Sequence, residues 1–317
     1  MGLQPDRVSL VNKETIMKHW QLIIQHIEQT TSQAFSLKQQ RSMAGGSINQ
    51  AFLLTSEDGQ QYFVKTNQSG RQDMFEAESK GLLEIASSRA IKVPRPVCFG
   101  DDGVQSYIAM EFLDMTGQAD QALLGEQLAA MHNVSAERYG WHINNTIGAT
   151  HQSNSWTDDW LDFWCEQRLG YQLQLAAKNG YGGELQSLGE KLLVEMPSLF
   201  VGREILPSML HGDLWGGNAA GLKDGTPVIY DPAFYYGDRE TDLAMTYVFG
   251  GFTPTFYNSY QNAFPLDDGF AIRKTFYNIY HIINHLNMFG GGYHGQSINM
   301  LKQVLAEINY INVRDIL

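Results

Sequence analysis

Apolar side chains recur along the first third of the chain with two different periods. Over Lys13–Thr31 they fall three or four residues apart, which predicts a helix with one buried face, and the same spacing predicts a second helix over Arg71–Ala86. Between and after these helices, short apolar runs separated by glycine or proline turns predict β-strands. The predicted strands are Ser36–Ala44, Ala51–Thr55, Gln61–Thr66, Val97–Gly100 and Tyr107–Phe112.

After Leu113 the helical period dominates. Only Ser208–Leu210 and Pro227–Asp231 have the pattern of strands there. The predicted helices are Asp120–His132, Asp158–Lys178, Asp242–Phe249, Phe270–Phe289 and Ser297–Tyr310. We therefore expect an α+β chain with an antiparallel-sheet lobe over residues 1–113 and a larger, mostly helical lobe over residues 114–317, with a hinge near Asp114–Gly117.

Composition narrows the function classes. The chain has 317 residues and 12 more acidic than basic side chains, so it repels nucleic-acid phosphates and lacks a basic face for anionic membranes. Its two cysteines, Cys98 and Cys165, cannot form a disulfide framework, and no apolar leader precedes residue 14. We expect a soluble, cytoplasmic protein with buried thiols and neither a nucleic-acid nor a membrane partner.

The segment MLHGDLWGGN, residues 209–218, carries the strongest chemical signal. Asp213 follows an apolar strand, Asn218 comes five residues later, and Asp231 follows the next apolar strand in VIYDPA. Kinase catalytic loops need this order, because one Asp accepts the hydroxyl proton of the acceptor while an Asn and a second Asp hold Mg²⁺. Asp and Asn are also common in ordinary turns, but the flanking strands and the spacing favour the catalytic interpretation.

The amino-terminal lobe supplies the complementary parts of a nucleotide site. The turn Gly45-Gly46-Ser47 between two predicted strands offers backbone N–H groups to phosphates, although two glycines in a hairpin are usually only a turn. Lys65 ends the strand YFVK and Glu78 lies on the following helix, in the order of the kinase ion pair. Each residue alone is more often a surface charge, so the prediction rests on their order.

The end of the last predicted strand of this lobe supplies the remaining nucleotide contacts. In a kinase-like arrangement the strand that joins the lobes offers backbone groups to adenine. Here it would be the run AMEFL, with Glu111, Phe112 and Leu113 at its end. ATP and Mg²⁺ are therefore the predicted cofactors.

Four segments together resemble the fructosamine kinase (ketosamine-3-kinase) family. They are HGDLWGGN, IYDPAFYYG, FGGF at residues 249–252, and WTDDWLDFWCEQRL at residues 156–169. The resemblance implies a bilobal protein-kinase-like fold of the aminoglycoside-phosphotransferase branch. It also implies transfer of the ATP γ-phosphate to a sugar hydroxyl of a ketosamine, a glycation adduct that then falls apart. By motif, Asp213 resembles the catalytic base, Asn218 and Asp231 the Mg²⁺ ligands, and Lys65 with Glu78 the nucleotide-lobe ion pair.

Three further residues are candidates for the acceptor site. Trp215 lies two residues after Asp213 and is predicted at the mouth of the site, where it either selects the acceptor or braces the loop. Asp158 and Asp159 precede an aromatic-rich stretch that reads mainly as core, and they are candidates to meet a substrate amine. Several relatives have a cysteine where this chain has Ser47, so thiol control through that turn is not expected here.

Two alternatives remain open from the sequence. One is a kinase for another small alcohol, such as an aminoglycoside or a choline-like compound, and the other is a nucleotide-binding module without turnover. A protein kinase is disfavoured because an APE triplet is missing and the distance from Asp231 to Asp242 leaves little room for an activation loop. His281 and His285 stand one helical turn apart but lack the glutamate of an HExxH zinc motif, so core or interface histidines are the preferred interpretation.

Overall fold

A computed structural model describes residues 20–43 and 48–314. The chain divides into two compact units, one formed by Met1–Leu83 with Pro94–Leu113 and the other by Glu84–Val93 with Asp114–Leu317. The first unit contains an antiparallel sheet and the second is mainly helical, so the predicted α+β class is confirmed.

The first unit is built on a five-stranded antiparallel sheet with the strand order β1-β2-β3-β5-β4. A helix over residues 20–31 (α1) precedes it. The remaining elements are β1 (Leu37–Met43), β2 (Gln50–Ser56), β3 (Gln61–Gln68), α2 (Gln72–Ser87), β4 (Pro96–Asp101) and β5 (Gln105–Glu111). All five strands and α2 lie within a few residues of their predicted positions, while the predicted helix residues 13–19 lie outside the described part of the chain.

The core of this unit joins one face of α1 to one face of the sheet. Trp20, Ile23 and Ile27 are buried on the helix, and they belong to one cluster with Leu54 and Val64 of the sheet. The same three helix positions carry the apolar period of the sequence, so burial of that stripe supplies the driving force for docking the helix.

Helices dominate the second unit, and in its described residues three antiparallel two-stranded pieces lie between them. The helices are α3 (Gln121–His132), α4 (Trp160–Trp164), α5 (Gly170–Lys178), α6 (Glu184–Glu195), α7 (Glu240–Thr246), α8 (Pro254–Ala263), α9 (Phe270–Phe289) and α10 (Tyr293–Arg314). The strands are β6 (Asn145–Ile147), β7 (Thr150–Gln152), β8 (Ser208–Leu210), β9 (Ala219–Gly221), β10 (Pro227–Ile229) and β11 (Tyr235–Gly237), paired as β6–β7, β8–β11 and β9–β10. Among the described residues, none of the helices has the length and apolarity needed to cross a bilayer.

The predicted helix Asp158–Lys178 is interrupted by a wider turn. Asp159 caps its start by accepting hydrogen bonds from the backbone N–H groups of Leu161 and Asp162, and the segment Cys165–Leu169 between α4 and α5 is π-helical. A side chain at position 170 would lie 2.0 Å from the Cys165 carbonyl oxygen, so only Gly170 permits this turn. π-turns of this kind often mark functional positions, because they redirect the side chains they contain.

Several elements of the second unit are absent from the predicted set. β6, β7, β9 and β11 have three residues each, too few for an alternating pattern to stand out. In α8, whose sequence is largely polar, only Phe256 and Tyr260 are buried, so its apolar stripe is very narrow. α6 buries Leu185, Gly189 and Leu192 at a spacing that is visible in the sequence, and its omission is an error of the prediction.

A network of buried ions crosses the second unit. Arg273 donates to both carboxylate oxygens of Glu240 at 2.7 and 2.9 Å, and Arg203 donates to Asp238 and lies 3.1 Å from Glu240. The side chains of Asp238 and Glu240 are 1% exposed. Buried ions are costly unless they are paired, so these four residues hold one another in fixed positions at the start of α7.

Both cysteines are free thiols. Cys98 is buried in the sheet unit, and burial raises the pKa of its thiol to about 12. Burial, followed by the nearby Glu166 carboxylate, also raises the pKa of Cys165. Since the thiolate is the reactive form, neither residue has the character of a redox sensor.

Candidate active site

The HGD loop begins where strand β8 ends. β8 is completely buried and pairs with β11, so residues 211–213 leave the sheet from a fixed position. Gly212 has a φ of +82°, and a Cβ there would lie 2.1 Å from the carbonyl oxygen of Ala233. Both the backbone conformation and the close approach require glycine at this position.

A buried carboxylate from α7 anchors this loop. Asp242 accepts hydrogen bonds from the backbone N–H groups of His211 (2.7 Å) and Gly212 (2.8 Å), and His132 Nε2 lies 3.2 Å from its Oδ2. Burial alone would raise the pKa of Asp242, but the hydrogen bonds and the neighbouring His132 outweigh it and lower that pKa. The prediction missed Asp242 and His132, although a carboxylate in the first turn of a buried helix is an available signal.

His211 orients the loop through both ring nitrogens. Nε2 lies 2.9 Å from the Tyr230 carbonyl oxygen, which can only accept, so this nitrogen carries the proton. Nδ1 then accepts a hydrogen bond from the backbone N–H of Asp213 at 3.2 Å. Burial lowers the pKa of His211, which keeps the ring neutral and committed to these two bonds.

Asp213 and Asn218 are held together inside the loop. Asn218 Nδ2 donates to the backbone oxygen of Asp213 at 2.9 Å and to its Oδ2 at 3.2 Å. Burial, and then the neighbouring Asp231 carboxylate, raise the pKa of Asp213 to about 7, against a weaker opposing effect of the Asn218 hydrogen bond. A carboxyl group with this pKa can accept a proton near neutral pH and release it again.

Asp231 follows β10 and approaches the same loop. Its φ is +60°, a left-handed conformation that few residues other than glycine, Asn and Asp adopt. The backbone N–H of Tyr230 donates to the Asn218 carbonyl oxygen at 3.0 Å, which ties the strand end to the loop. The structure therefore brings the three predicted residues of this lobe, Asp213, Asn218 and Asp231, into one cluster.

The donor atoms of this cluster suit a hard divalent cation. Because Asn218 turns its amide nitrogen to Asp213, its Oδ1 is left as an acceptor, and Asp231 adds carboxylate oxygens. Mg²⁺ prefers such oxygens and completes its shell with water and phosphate. Within residues 20–43 and 48–314 no group of three or more His, Cys, Asp or Glu side chains is placed to hold a metal ion by itself.

The predicted ion pair of the first unit is formed. Lys65 Nζ lies 2.6 Å from Glu78 Oε1, and the two side chains are only 8% and 10% exposed. β3 carries Lys65 in register with Ala51 and Ile108, and α2 carries Glu78. A short ion pair of this kind fixes the direction of the lysine ammonium group.

The other predicted nucleotide contacts are less completely described. Glu111 ends β5, and its carboxylate accepts a hydrogen bond from the Arg95 backbone N–H at 2.9 Å, with Phe112 and Leu113 following the strand. Gly45, Gly46 and Ser47 lie outside the described residues. Their nucleotide role stays a prediction.

Trp215 lies within a row of aromatic rings beside the HGD loop. It is 37% exposed, its ring centroid is 5.7 Å from that of Phe249, and Phe249 is 5.1 Å from His285. The Trp215 ring also covers Gly217, where a Cβ would meet it at 2.2 Å. Trp215 is thus positioned both to brace the loop and to present a flat apolar face to solvent.

The structure gives the two histidines of α9 different surroundings. His281 is buried, and burial lowers its pKa to about 3, so it is a neutral core residue. His285 Nδ1 donates to the His281 carbonyl oxygen at 2.7 Å, and its ring centroid lies 5.1 Å from that of Phe249. Both observations agree with the preferred interpretation of core and interface histidines, and His285 joins the row near Trp215 that the prediction did not include.

Asp158 and Asp159 have structural partners in this structure. Asp158 is ion-paired with Arg138 at 2.5 Å, although its side chain is 84% exposed, and Asp159 caps α4. An N-cap carboxylate stabilises its helix through those hydrogen bonds. Their contact with a substrate amine stays a prediction.

Comparisons with known proteins agree on one family. The model of the fructosamine kinase family matches residues 19–307. The chain is 47% identical over 290 residues to the "Probable ketoamine kinase slr1563" of Synechocystis sp., covering 90% of this chain and 97% of that protein. It is 40% identical over 280 residues to the chloroplastic protein-ribulosamine 3-kinase of Arabidopsis thaliana, covering 87% of this chain and 85% of the relative.

Solved structures have the same fold. A candidate fructosamine-3-kinase from Haemophilus somnus 129PT superposes with a TM-score of 0.82 at 27% identity, covering 90% of this chain and 97% of that one. The aminoglycoside phosphotransferase APH(2")-IIa, solved with gentamicin, gives a TM-score of 0.57 at 14% identity, covering 90% of this chain and 94% of that one. The second likeness concerns the fold alone, which is protein-kinase-like as predicted.

The raised pKa of Asp213 predicts a pH-dependent gain in stability for Asp213→Asn. Between about pH 4 and pH 7 the folded protein retains a proton that the unfolded chain has lost, so stability falls as pH rises through this window. At about 1.4 kcal/mol per pKa unit, the variant should gain about 2–3 kcal/mol over the wild type between pH 5 and pH 8. Denaturant unfolding in EDTA without nucleotide measures this gain.

The exposed Asp158 provides the control. Asp158→Asn should differ from the wild type by no more than about 0.5 kcal/mol at both pH values, because no buried charge is removed. Parallel stability curves for Asp213→Asn and the wild type would show that the Asp213 carboxylate carries no burial penalty.

Proposed function

Because the chain belongs to the fructosamine kinase family, we propose that it transfers the γ-phosphate of ATP to a sugar hydroxyl of ketosamines, in a cytoplasmic deglycation role. Two relatives are named for ketoamine and protein-ribulosamine phosphorylation, which supports this acceptor class. The observation that carries the proposal is the cluster of Asp213, Asn218 and Asp231, in which the pKa of Asp213 is raised to about 7.

Asp213 serves as the base. Its carboxylate accepts the proton of the acceptor hydroxyl as the hydroxyl oxygen bonds to the γ-phosphorus. The bond between that phosphorus and the bridging β–γ oxygen breaks, and ADP leaves. The hydrogen bonds of Asn218 and the anchored loop fix the direction of the carboxylate, so little reorganisation is needed at the moment of transfer.

Asn218 and Asp231 would hold Mg²⁺ through their side-chain oxygens. The ion supplies charge neutralisation at the phosphate oxygens when it is bound. Lys65, oriented by Glu78, would pair with nucleotide phosphates, and Gly45, Gly46 and Ser47 are proposed to contribute to phosphate binding from the sequence pattern alone. The backbone groups near Glu111–Leu113 bind adenine.

A panel of acceptors tests the proposal. ATP consumption is measured with fructosamines, ribulosamines, erythrulosamines, aminoglycosides and choline, with Asp213→Asn as the inactive control. We expect turnover of at least one ketosamine class, and a loss of about 10²–10⁴-fold in kcat for the variant with ATP binding retained.

Each other outcome of the panel has a definite meaning. Turnover of aminoglycosides or choline with every ketosamine untouched would replace the acceptor class. Nucleotide binding without any turnover would favour a non-catalytic module, and near-normal kcat in Asp213→Asn would remove Asp213 from the mechanism.

Activity should require Mg²⁺ or Mn²⁺. Excess chelator should abolish turnover, and Asp231→Ala should lose it because a ligand of the ion is removed. Asp224→Ala is the matched control. The Asp224 carboxylate accepts hydrogen bonds from Thr226 in the β9–β10 turn, away from the cluster, so the variant should leave turnover unchanged. Full activity in chelator would reject the metal role of Asp231 and Asn218.

Trp215→Ala should weaken ketosamine use selectively. If the ring packs on the acceptor, kcat/KM for ketosamines should fall about ten- to a hundredfold while KM for ATP changes little. Trp156→Ala is the control. Like Trp215, Trp156 is about one-third exposed (36%) and packs against one neighbouring aromatic ring, that of Tyr236. A parallel loss of acceptor-free ATP hydrolysis and of stability would instead assign Trp215 the role of a brace.

A further inference from the structure

Side-chain amides bind the backbone that follows Asp231. Gln152 Nε2 donates to the Ala233 carbonyl oxygen at 3.2 Å, and Asn145 Nδ2 donates to the Phe234 carbonyl oxygen at 2.8 Å. Gln152 and Asn145 lie on the β7 and β6 strands and are 1% and 7% exposed. The segment between β10 and β11 thus depends on these two side chains where no strand pairing is present.

The Ala233 carbonyl also marks the contact between the two loops of the candidate site. It is the group that lies against Gly212, where a Cβ would come within 2.1 Å. Gln152 therefore binds the same peptide group that lies against the HGD loop. A shift of this peptide would move Asp231, two residues away, relative to Asp213.

A buried arginine determines which way these amides face. Arg168 Nη2 donates to Asn154 Oδ1 at 2.7 Å, so the amide nitrogen of Asn154 faces Asn145 Oδ1 at 3.0 Å. With its oxygen engaged in this way, Asn145 must direct its own nitrogen to the Phe234 carbonyl. The orientation of each amide is fixed by the one before it, because an amide has one donor end and one acceptor end.

A second chain of hydrogen bonds reaches the same place from α9. The Tyr280 hydroxyl donates to Gln152 Oε1 at 2.6 Å, and this directs Gln152 Nε2 to Asn145 Oδ1 (2.8 Å) and to Ala233. All members of both chains are buried. An amide turned the wrong way would therefore leave several polar groups without partners.

Burial of the Arg168 side chain costs folding free energy that packing alone does not explain. It is fully buried, and among residues 20–43 and 48–314 no carboxylate forms an ion pair with it. Its guanidinium lies between the rings of Phe163 (4.5 Å) and Tyr235 (4.0 Å), and it is presented by the π-helical turn. A buried cation without a carboxylate costs stability, so its value lies in the geometry that it imposes.

We propose that Gln152 and Asn145, oriented by Tyr280 and Arg168, are positioning residues that set Asp231 for metal binding. The inference rests on the proposed function, because it takes Asp231 as a ligand of Mg²⁺. Neither residue contacts the reacting atoms. Partners that orient a metal ligand typically change metal affinity ten- to a hundredfold when they are removed.

Gln152→Met tests the proposal with the full chain, ADP and Mn²⁺. Methionine keeps the length of the side chain and removes only the donor and acceptor groups. Free Mn²⁺ is followed by its paramagnetic resonance signal, which needs no turnover. We expect the Mn²⁺ dissociation constant in the presence of ADP to rise ten- to a hundredfold, and the KM for the ketosamine to change little.

Gln186→Met is the matched control. Gln186 Nε2 also donates to two oxygens, the carbonyls of Leu173 (3.0 Å) and Tyr181 (2.9 Å), but it lies on α6 and contacts neither loop. It should lose thermal stability while binding Mn²⁺ as the wild type does. An equal loss of Mn²⁺ affinity in Gln186→Met would overturn the proposal, since general loosening would then explain the effect.

Tyr280→Phe tests the same positioning role if Gln152→Met does not fold. It removes one hydroxyl, keeps the buried ring, and should raise the Mn²⁺ dissociation constant several-fold. Wild-type affinity in every folded variant of the pair would overturn the proposal. A wild-type chain that binds Mn²⁺ with ADP but phosphorylates no acceptor would overturn the proposed function alone, and one that binds no Mn²⁺ would overturn both.

Discussion

The geometry of the candidate site depends on one carboxylate that is not part of its chemistry. Asp242 accepts hydrogen bonds from two successive backbone N–H groups, those of His211 and Gly212, and so fixes the direction in which the loop leaves β8. Two donors on one buried acceptor restrict the peptide planes between them to a narrow range. Asp213 is the next residue, and its position is a consequence of this contact.

Asp242 is in turn held by the ionic network at the start of α7. Asp238 and Glu240 lie four and two residues before it. Arg203 pairs with both of them, and Arg273 pairs with Glu240. Such a network adds little net stability compared with an apolar core of the same volume, but it tolerates few alternative arrangements. The buried charges of the second unit therefore serve mainly to define where α7 begins, and with it the anchor of the loop.

In the cluster of Asp213 and Asp231, by contrast, two like charges lie near each other. Desolvation of its half-buried carboxyl, and then the neighbouring Asp231 carboxylate, raise the pKa of Asp213, which costs folding free energy at neutral pH. The fold tolerates this cost because the surrounding loops are fixed from several directions, by Asp242, by His211 and by the amides of the β6–β7 hairpin. The raised pKa that lowers the stability at neutral pH is the same property that a base acting near neutral pH requires.

The sequence by itself determined the α+β class and the strands of the first unit, and it singled out the residues of the candidate cluster. Periodicity is a local property, and the order of Asp213, Asn218 and Asp231 is visible because their spacing along the chain is fixed by short strands and turns. The ion pair of Lys65 and Glu78 could be predicted for the same reason. The two residues lie on a strand and on the helix that follows it, 13 residues apart.

Only the tertiary structure decided what holds these residues in place. Asp242 is 30 residues from Gly212 and 110 from His132, and Gln152 is 81 residues from Ala233. No local pattern encodes such contacts, because a hydrogen bond between distant residues depends on packing and not on period. The same reason explains why Asp158 is an ion-pair partner of Arg138 and why Arg168 is buried, since these roles follow from what the fold brings beside each side chain.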